Sequence, residues 1–370
     1  MPFRIGLVID TGPHHFRGIA RGVHAWAREH AALVSHRDGA LPPAALVAGV
    51  DAMITTTRVP ELRQQLAETG VPFVVVSGRG APGILPMVLP DDRAVGRMAA
   101  EHLRLQGYRR LAMLETRLGW FADERRAGFA QAATEAGGEA MTAPDDPEAL
   151  RAWLHEQAHP VGLFTINDHL ARGLSELARD LGIAVPDSLG ILGADDDPWM
   201  TETAAVELSS VALDSLRQGR TAADLAWRLA GGHRPSAAPL LIPPRRVMVR
   251  RSTDVIGNDQ EPVAALLRLM RSRDGLRLEV PELCRRCGLN RRTAERALAA
   301  RLGSSPAAEL QRVRLELAAE LLEETTLTLA DIATACGYAS GRSFQRAFAR
   351  ERGMTAGDWR HQHGQPGSGS

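Results

Sequence analysis

The fold of the C-terminal part is decided by the stretch LADIATACGYASGRSFQRAF, residues 329–348. Apolar residues recur at helical spacing on both sides of Gly337, and glycine suits a tight turn between two helices. The same pattern occurs earlier in VPELCRRCGLNRRTAERALAARL, residues 280–302, where Gly288 supplies the turn and Asn290 can cap the second helix. The sequence therefore predicts two units of short helix, turn and second helix, which flank a long helix over 305–322.

The N-terminal two thirds of the chain follow a different pattern. Apolar, strand-like runs alternate there with amphipathic, helix-like segments. The predicted strands include 5–9, 52–55, 73–76, 111–114 and 162–166, and the predicted helices include 18–29, 61–68, 93–105, 125–135 and 169–181. This alternation predicts an α/β fold with parallel sheets covered by helices on both faces. Ligands of such sheets bind beyond the carboxyl ends of the strands.

The length of 370 residues allows two or three domains. Strand patterns stop after residue 255, and IGNDQEP over 256–262 is a polar connector. We therefore expect an α/β domain over 1–255, a linker over 256–262 and an all-α domain over 263–362. The tail 363–370 is rich in Gly, Ser and Pro, and we expect it to be disordered.

The net charge of zero conceals a difference between the two parts. From Glu261 onward there are 17 Arg and 13 acidic residues, whereas the first 260 residues hold 27 Arg and 31 acidic residues. A basic small domain beside an acidic large one is typical of a nucleic-acid-binding module fused to a domain for a polar ligand.

Compartment and membrane association can also be predicted. The amino terminus MPFRIGLVID lacks the pattern of a secretory signal, and no apolar run approaches the ~18 residues of a membrane span. Three cysteines, an odd number, fit a reducing environment. We expect a cytoplasmic protein without a membrane partner.

The second helix of each C-terminal unit carries arginines opposite its apolar stripe. Arg292 and Arg296 are four residues apart in the first, as are Arg342 and Arg346 in the second, so each pair shares a helix face. Arginine reads guanine through two hydrogen bonds in the major groove. The predicted DNA-binding residues are Arg291, Arg292, Glu295, Arg296, Arg342, Gln345 and Arg346. For a single helix, a merely solvated arginine face is an equal alternative.

A longer set of residues carries a family resemblance. It comprises GSSP over 303–306, Arg314, Ala318, LL over 321–322, Ile332, Gly337-Tyr338, and Ser343-Phe344 with Arg346 and Phe348. With these residues, the segment 280–360 resembles the DNA-binding domain of AraC-type regulators. Ala294 and Leu298 depart from the Leu and Phe that the family usually has in the first unit. The resemblance implies that the partner is double-stranded operator DNA.

The cysteines permit a metal or redox interpretation as well. Cys284 and Cys287 form a C-x-x-C pair, but tetrahedral zinc needs two further ligands at matching spacing, and a redox dithiol would follow a strand. We predict instead that these cysteines pack between helices, as does Cys336. The sequence thus predicts no metal and no cofactor.

The large domain carries a second resemblance. LPDD over 89–92, ER over 124–125, GF over 128–129, IND over 166–168 and ILGADD over 191–196 occur in order. With them the domain resembles the periplasmic-binding-protein-like core of LacI/GalR-type repressors. The resemblance implies a two-lobed type I fold with a sugar in the cleft.

Sugar binding requires fixed polar partners for hydroxyl groups and an apolar wall for the ring. The predicted ligand-binding residues are Phe16, Asp91, Phe121, Arg125, Asn167, Asp168 and Asp195, with Trp120 and Trp199 as further walls. Alternatives remain for three of them. Arg125 and Asp195 could belong to structural ion pairs, and Asp168 could cap the helix that starts near His169.

The order of the two domains narrows the function. LacI-type repressors carry DNA-binding helices at the amino terminus, whereas a LacI-like sensor before an AraC-type domain resembles the arrangement of xylose-operon activators. IPPRRVMVRRSTD over 242–254 resembles the segment with which their sensor ends. In the loop after the first predicted strand, by contrast, His15 and Phe16 replace the tyrosine and the acid expected at these positions. The resemblance implies a transcription activator that responds to xylose or a related pentose and works as a homodimer with RNA polymerase.

Three other functions can be compared with this one. A regulator of the same architecture could sense another sugar or polar metabolite. A transport receptor would need an export signal, and a DNA-repair transferase would need a reactive cysteine outside the helices, although no cysteine precedes residue 284. We therefore expect a regulator without catalytic residues, not an enzyme.

Overall fold

The computed structural model describes residues 1–39, 41–56, 68–77, 85–116, 118–135, 138, 140–234, 238–254, 262–272, 274–302 and 304–363. The chain divides into two compact units, Met1–Asp254 and Val255–Ser370. Of the predicted linker, only Pro262 lies within the described residues, and of the predicted tail only His363. The predicted helix over 61–68 also lies outside them, apart from Glu68.

The first unit contains the strands and the helices between them. In chain order these are β1 (Arg4–Val8), α1 (His14–Glu29), β2 (Leu33–His36), α2 (Pro43–Val47), β3 (Ala52–Thr55), β4 (Phe73–Val75), β5 (Val88–Pro90), α3 (Asp92–Leu105), β6 (Arg110–Leu114), α4 (Trp120–Glu135), β7 (Ala140–Ala143), α5 (Pro147–Glu156), β8 (Val161–Phe164), α6 (Asp168–Asp180), β9 (Leu189–Ala194), α7 (Pro198–Glu202), β10 (Ser209–Ala212), α8 (Ser215–Ala230), β11 (Leu240–Ile242) and β12 (Arg246–Met248). A 3-10 turn, Arg251–Thr253, ends the unit.

Two sheets form two lobes. Among the described residues, the first sheet has the order β2-β1-β3-β4 and the second β12-β10-β9-β8-β6-β7, while β11 pairs with β5. All pairings are parallel except that of β12 with β10. The antiparallel edge strand is therefore an addition to the predicted parallel sheets. The chain passes between the lobes near residues 91, 214 and 244, so a cleft lies between them.

The central strands β3, β8, β9 and β10 are buried along their whole length because helices cover both faces of each sheet. Ile5, Ile54 and Val74 lie in the core of the first lobe, and Leu163 and Ile191 lie in that of the second. Continuous apolar strands of this kind are typical of parallel sheets. Each lobe also contains one closely packed helix pair, α1 with α8 and α3 with α4.

The second unit is helical. It contains α9 (Pro262–Arg271), a 3-10 turn (Gly275–Arg277), α10 (Val280–Arg286), α11 (Arg291–Leu302), α12 (Pro306–Glu324), α13 (Leu329–Ala335), α14 (Gly341–Arg352) and α15 (Ala356–His363). The predicted pair of two-helix units and the long helix between them are confirmed. Gly288 and Gly337 adopt φ of 66° and 76° in the two turns, as tight turns require.

The two-helix units have separate cores that share α12. Leu283, Ala294 and Leu298 pack with Leu310 at the start of α12, whereas Phe344 and Phe348 pack against its second half. Cys284 and Cys336 are buried in these cores, and in the described part of the chain no group of three or more His, Cys, Asp or Glu could hold a metal ion. No helix of the described residues is long and apolar enough to cross a membrane.

Candidate functional site

A cavity of about 150 Å³ lies between the two lobes of the first unit. It is formed where strands of both sheets end, at their carboxyl edges, which is where the alternating pattern predicts a ligand. Its lining comprises Pro13, His15, Phe16, Ser77, Leu89, Pro90, Asp92, Trp120, Phe121, Arg125, Ile166, Asn167, Asp195 and Leu213. The lining thus combines charged and amide groups with three aromatic rings.

Arg125 and Asp92 form a buried ion pair at the wall of the cavity. Arg125 Nε donates to Asp92 Oδ1 at 2.8 Å, and the two side chains are only 4% and 3% exposed. Arg125 Nη1 also donates to the carbonyl oxygen of Ile166, and the guanidinium lies 5.6 Å from the ring centre of Phe121. The Nη2 group makes no hydrogen bond with any described residue, so it can donate to a ligand.

Burial in this wall raises the pKa of Asp92, and the positive charge of Arg125 offsets only part of that effect. A buried carboxylate without its cation would be strongly unfavourable. The pair therefore holds Arg125 in one position and places a buried carboxyl group next to its positive charge.

Asp195 supplies a carboxylate to the same cavity. It follows β9 directly and has φ of 105°, a conformation that non-glycine residues rarely adopt. Burial raises the pKa of Asp195 to about 7, an effect that the charge of Arg125 opposes and that of Asp92 reinforces. Its side chain makes no hydrogen bond with a described residue and thus offers two acceptor oxygens to a ligand.

His15 provides a neutral ring. Its Nδ1 lies 2.7 Å from Ser215 Oγ at the start of α8. Burial and, secondarily, the charge of Arg125 lower the pKa of His15 to about 3. The ring is therefore uncharged at neutral pH, and its Nε2 can exchange a hydrogen bond with a hydroxyl group without adding charge to the cavity.

The structure brings five of the seven predicted ligand residues to the cavity: Phe16, Phe121, Arg125, Asn167 and Asp195. Trp120 lies there as well. Asn167 has a second role, because its Oδ1 accepts from the backbone N–H of Leu170 and caps α6. The capping role considered for Asp168 therefore belongs to its neighbour.

The other two predicted carboxylates have partners outside the cavity lining. Asp91 Oδ1 caps α3 by accepting from the N–H of Ala94 at 2.9 Å. Asp168 is buried, and its Oδ2 accepts from the N–H of Asp197 at 2.8 Å. Burial raises the pKa of Asp168 well above its usual value. Trp199, considered as a further wall, is 66% exposed and absent from the lining.

Asp92 and His15 are the titratable cavity residues that the predicted ligand-binding set does not include. Of two adjacent acids, Asp91 precedes α3 as its cap and Asp92 is its first residue, so Asp92 is directed to an inner face. A helix boundary accurate to one residue would have identified Asp92. For His15, the signal was its place in the first turn of α1, shortly after the carboxyl end of β1.

Two glycines position the helices that carry the ion pair. A Cβ at Gly96 would lie 1.9 Å from the carbonyl oxygen of Arg125, and one at Gly128 would lie 2.0 Å from that of Arg93. Helices α3 and α4 therefore touch backbone to backbone, which keeps Asp92 and Arg125 at hydrogen-bonding distance.

A chain of polar contacts leads from the cavity to the end of the first unit. Asp196, adjacent to Asp195, has φ of 52°, and its Oδ1 accepts from Arg250 Nη2 at 2.8 Å. Arg250 N–H donates to Ser209 Oγ at 2.8 Å, and Thr253 Oγ1 lies 2.8 Å from His102 Nε2. Ser252 and Thr253 are fully buried. The terminal 3-10 turn is thus anchored in the second lobe. Arg250, which precedes the turn, pairs with Asp196, the neighbour of the cavity carboxylate Asp195.

The predicted DNA-binding residues all lie exposed on α11 and α14, which we call the recognition helices. The exposed set is Arg291, Arg292, Glu295, Arg296, Arg342, Gln345 and Arg346. Asn290 Oδ1 caps α11 by accepting from Thr293 N–H at 2.8 Å, and Ser340 Oγ caps α14 by accepting from Ser343 N–H at 3.2 Å. Both helices therefore present a polar face opposite the buried one.

The two faces differ in charge pairing. On α11, Arg291 Nε donates to Glu295 Oε1 at 2.8 Å. On α14, Arg342 and Arg346 have no acidic partner among the described residues. Arg292 and Arg296 on α11 likewise have no acidic partner among the described residues, so each of the two helices offers two unpaired arginines to a phosphate or a base.

Comparison with known proteins matches both units. The family "Periplasmic binding protein-like domain" matches residues 100–253, and the family "Helix-turn-helix domain" matches residues 283–362. The "Xylose operon regulatory protein" of Escherichia coli K12 is 28% identical over 317 residues, 81% of each chain. Its namesake from Haemophilus influenzae is 25% identical over 84% of this chain and 85% of its own.

Solved structures extend the likeness in fold. One described as "xylose-binding transcription activator xylR" is 24% identical, covers 99% of both chains and has a TM-score of 0.61. A regulator–cellobiose complex, 23% identical, covers 68% of this chain and 86% of its own with a TM-score of 0.55. The chain is thus homologous to transcription regulators rather than to enzymes.

Proposed function

Because this chain is a transcription regulator that joins a periplasmic-binding-protein-like sensor to a C-terminal AraC-type DNA-binding domain, we propose that a pentose such as xylose is its effector. The observation that supports the proposal is the cavity itself. It combines Arg125, Asn167 and Asp195 with the rings of Phe16, Trp120 and Phe121.

The chemistry of the cavity suits an uncharged sugar. Hydroxyl groups both donate and accept, so they can donate to Asp195 and accept from Arg125, while an aromatic ring packs against the C–H face of the sugar. Asp92 already balances the charge of Arg125, and Asp195 adds negative charge when ionised. A sugar phosphate or sugar acid would therefore meet no uncompensated cation.

Sugar binding would reach the linker through the polar chain from Asp195 to Arg250. A ligand shifts a conformational equilibrium by as much as it prefers one state over the other. A sugar that holds Asp195 moves Asp196 with it, and Asp196 holds Arg250 just before the anchored turn Arg251–Thr253. The linker leaves the sensor directly after that turn.

The DNA-binding half follows from the recognition helices. We propose that α11 and α14 enter adjacent major grooves, so each chain binds one bipartite half-site and a homodimer binds two. In the proposed role the dimer activates a pentose-utilisation operon in the cytoplasm by contacting RNA polymerase. The Escherichia coli relative named for the xylose operon supports this choice.

Calorimetric titration with D-xylose, L-arabinose, D-ribose and D-glucose tests the sensor half. We expect one pentose to bind at least about tenfold more tightly than glucose, and Arg125→Ala and Asp195→Ala each to weaken binding by about 2 kcal/mol. Arg97→Ala, which removes an exposed ion pair with Glu135, is the matched control. Sugar binding that survives in both cavity variants would contradict the proposed site.

Duplex selection and electrophoretic mobility shift test the other half. The full chain, incubated with random duplexes, should enrich a sequence, and Arg346→Ala should lower affinity for it by about 1–3 kcal/mol while pentose affinity stays constant. Arg179→Ala, an exposed arginine of the sensor, is the control. Equal losses from both substitutions would argue against α14 as a recognition helix.

A further inference from the structure

The two recognition helices belong to separate cores, so something must set their relative position. Long helix α12 contributes Leu310 to the first core and Leu315, Ala318 and Leu322 to the second. A single helix can bend or twist between two such bodies. A second point of contact would remove that freedom.

The structure contains such a contact between residues 276–278, which lead into α10, and the turn after α13. At Gly337, in that turn, an added Cβ would lie 1.9 Å from the carbonyl oxygen of Leu276. The turn of the second two-helix unit, α13 and α14, therefore rests directly on the backbone that leads into the first two-helix unit, α10 and α11. The corresponding turn glycine between α10 and α11, Gly288, has nothing within 4 Å of the same position.

Arg314, in the middle of α12, joins both sides of this contact. Its Nε donates to the carbonyl oxygen of Leu276 at 2.9 Å, and its Nη2 donates to that of Leu278 at 3.1 Å. Its guanidinium lies 5.8 Å from the ring centre of Tyr338, the residue after Gly337. The planar guanidinium donates to the two carbonyl groups from two separate nitrogens at fixed positions while it contacts the ring, a geometry that the single nitrogen of a lysine does not reproduce.

We infer that Arg314 is a positioning residue for operator recognition: by joining residues 276–278 to Tyr338, it fixes the separation and rotation of α11 and α14. The chain then measures the spacing between the two base-pair sites that it reads. One base pair more or less displaces the second site along the duplex and rotates it about the duplex axis. A rigid pair of helices cannot follow both changes, whereas a loosened pair can.

The test rests on the proposed DNA-binding function and uses the full chain. The probe is the duplex enriched from a random library, together with the same duplex lengthened or shortened by one base pair between its two contacted sites. Affinities of the wild type, Arg314→Lys and Gly337→Ala are measured for all three duplexes. The quantity compared is the ratio of affinities between the original and altered spacings.

We expect the wild type to bind both altered duplexes about tenfold or more weakly than the original, and Arg314→Lys to reduce that ratio to about threefold or less. Gly337→Ala should also reduce the ratio. Gly288→Ala is the matched control, since it strains a turn glycine of similar positive φ without touching the contact. It should change all three affinities by one common factor.

Some results would overturn the inference. An unchanged ratio in Arg314→Lys, or no spacing preference in the wild type, would show that Arg314 only stabilises the fold. If Arg314→Lys loses its cooperative unfolding transition, Tyr338→Leu takes its place, since it keeps both carbonyl hydrogen bonds and removes the ring. Failure to enrich any duplex would count against the proposed function itself and so is distinguishable from failure of this inference.

Discussion

Arg125 Nε and Asp92 Oδ1 lie 2.8 Å apart in a wall of the cavity where both side chains are almost completely buried. Asp92 is the first residue of α3, and Arg125 lies in the second turn of α4. The two helices are neighbours in the same lobe. A buried ion pair is costly to break, because the remaining charge has neither water nor partner. The pair thus links the stability of the first unit to the position of the cavity arginine.

Replacement of Arg125 by methionine should therefore destabilise the first unit as well as impair binding. We expect Arg125→Met to lower the free energy of unfolding by about 3 kcal/mol. Urea denaturation measures this loss. Arg97→Met removes an ion pair of similar length on α3, 2.7 Å to Glu135, but that pair is exposed to solvent, so its loss should destabilise the chain much less. Similar losses in the two variants would mean that Asp92 is not left uncompensated.

Contact between α3 and α4 predicts a second effect on the same pair. Gly96→Ala must push the two helices apart, because its Cβ would overlap the carbonyl oxygen of Arg125. We expect a loss of about 2 kcal/mol in unfolding free energy and weaker pentose binding. Gly173→Ala on α6 is the control, since nothing lies within 4 Å of its Cβ, and it should gain about 0.5 kcal/mol from helix propensity. Unaltered pentose affinity in Gly96→Ala would disprove the positioning role of this contact.

The raised pKa of Asp195 gives a pH dependence with a definite sign. Its pKa is about 7 in the folded chain, against 3.8 as the reference value, so between these values the folded state binds more protons than the unfolded state. This contribution to stability is complete below about pH 4 and is lost as the pH rises through 7. Asp195→Asn lacks it.

The variant should accordingly become more stable relative to the wild type between pH 4 and 8, by about 2 kcal/mol after allowance for partial solvent access. Thermal unfolding of both proteins across that range measures the difference. The lowered pKa of His15 acts in the opposite direction from pH 3 to 6.5, but His15 is present in both proteins and largely cancels. Gly173→Ala changes no titratable group and should give a difference that is constant with pH.

Much of the fold follows from local patterns. The predicted strand 52–55 matches β3, and the predicted helix 93–105 differs from α3 by one residue, because both have strong apolar periodicity and clear ends. Arg342 and Arg346 are exposed as predicted because their positions on an amphipathic helix determine which face meets solvent. The edge strand β12 was missed, since three residues carry too little pattern.

The cavity was only partly predictable for a related reason. Which of Asp91 and Asp92 faces the cavity depends on a helix boundary that local sequence gives to within a residue or two. The partner of Asp168 is the backbone of Asp197, which comes close only after β9 has paired with β8. Long-range contacts of this kind are set by tertiary packing and leave no periodic signal in the sequence.

The ion pair between Asp196 and Arg250 predicts that sugar binding and its effect on DNA can be separated. Asp196→Asn leaves the cavity lining intact, so pentose affinity should change by less than about threefold, whereas the pentose-dependent change in operator affinity, typically about 5–150-fold in coupled systems, should fall close to one. Arg250→Gln should do the same, and the double variant should add little, because both substitutions break one interaction.

Calorimetry gives the pentose affinity, and mobility shift with and without pentose gives the coupling. Asp224→Asn removes a 2.8 Å pair with Arg228 on α8 and should leave the coupling unchanged. Full coupling in Asp196→Asn would exclude this route from the cavity to the linker.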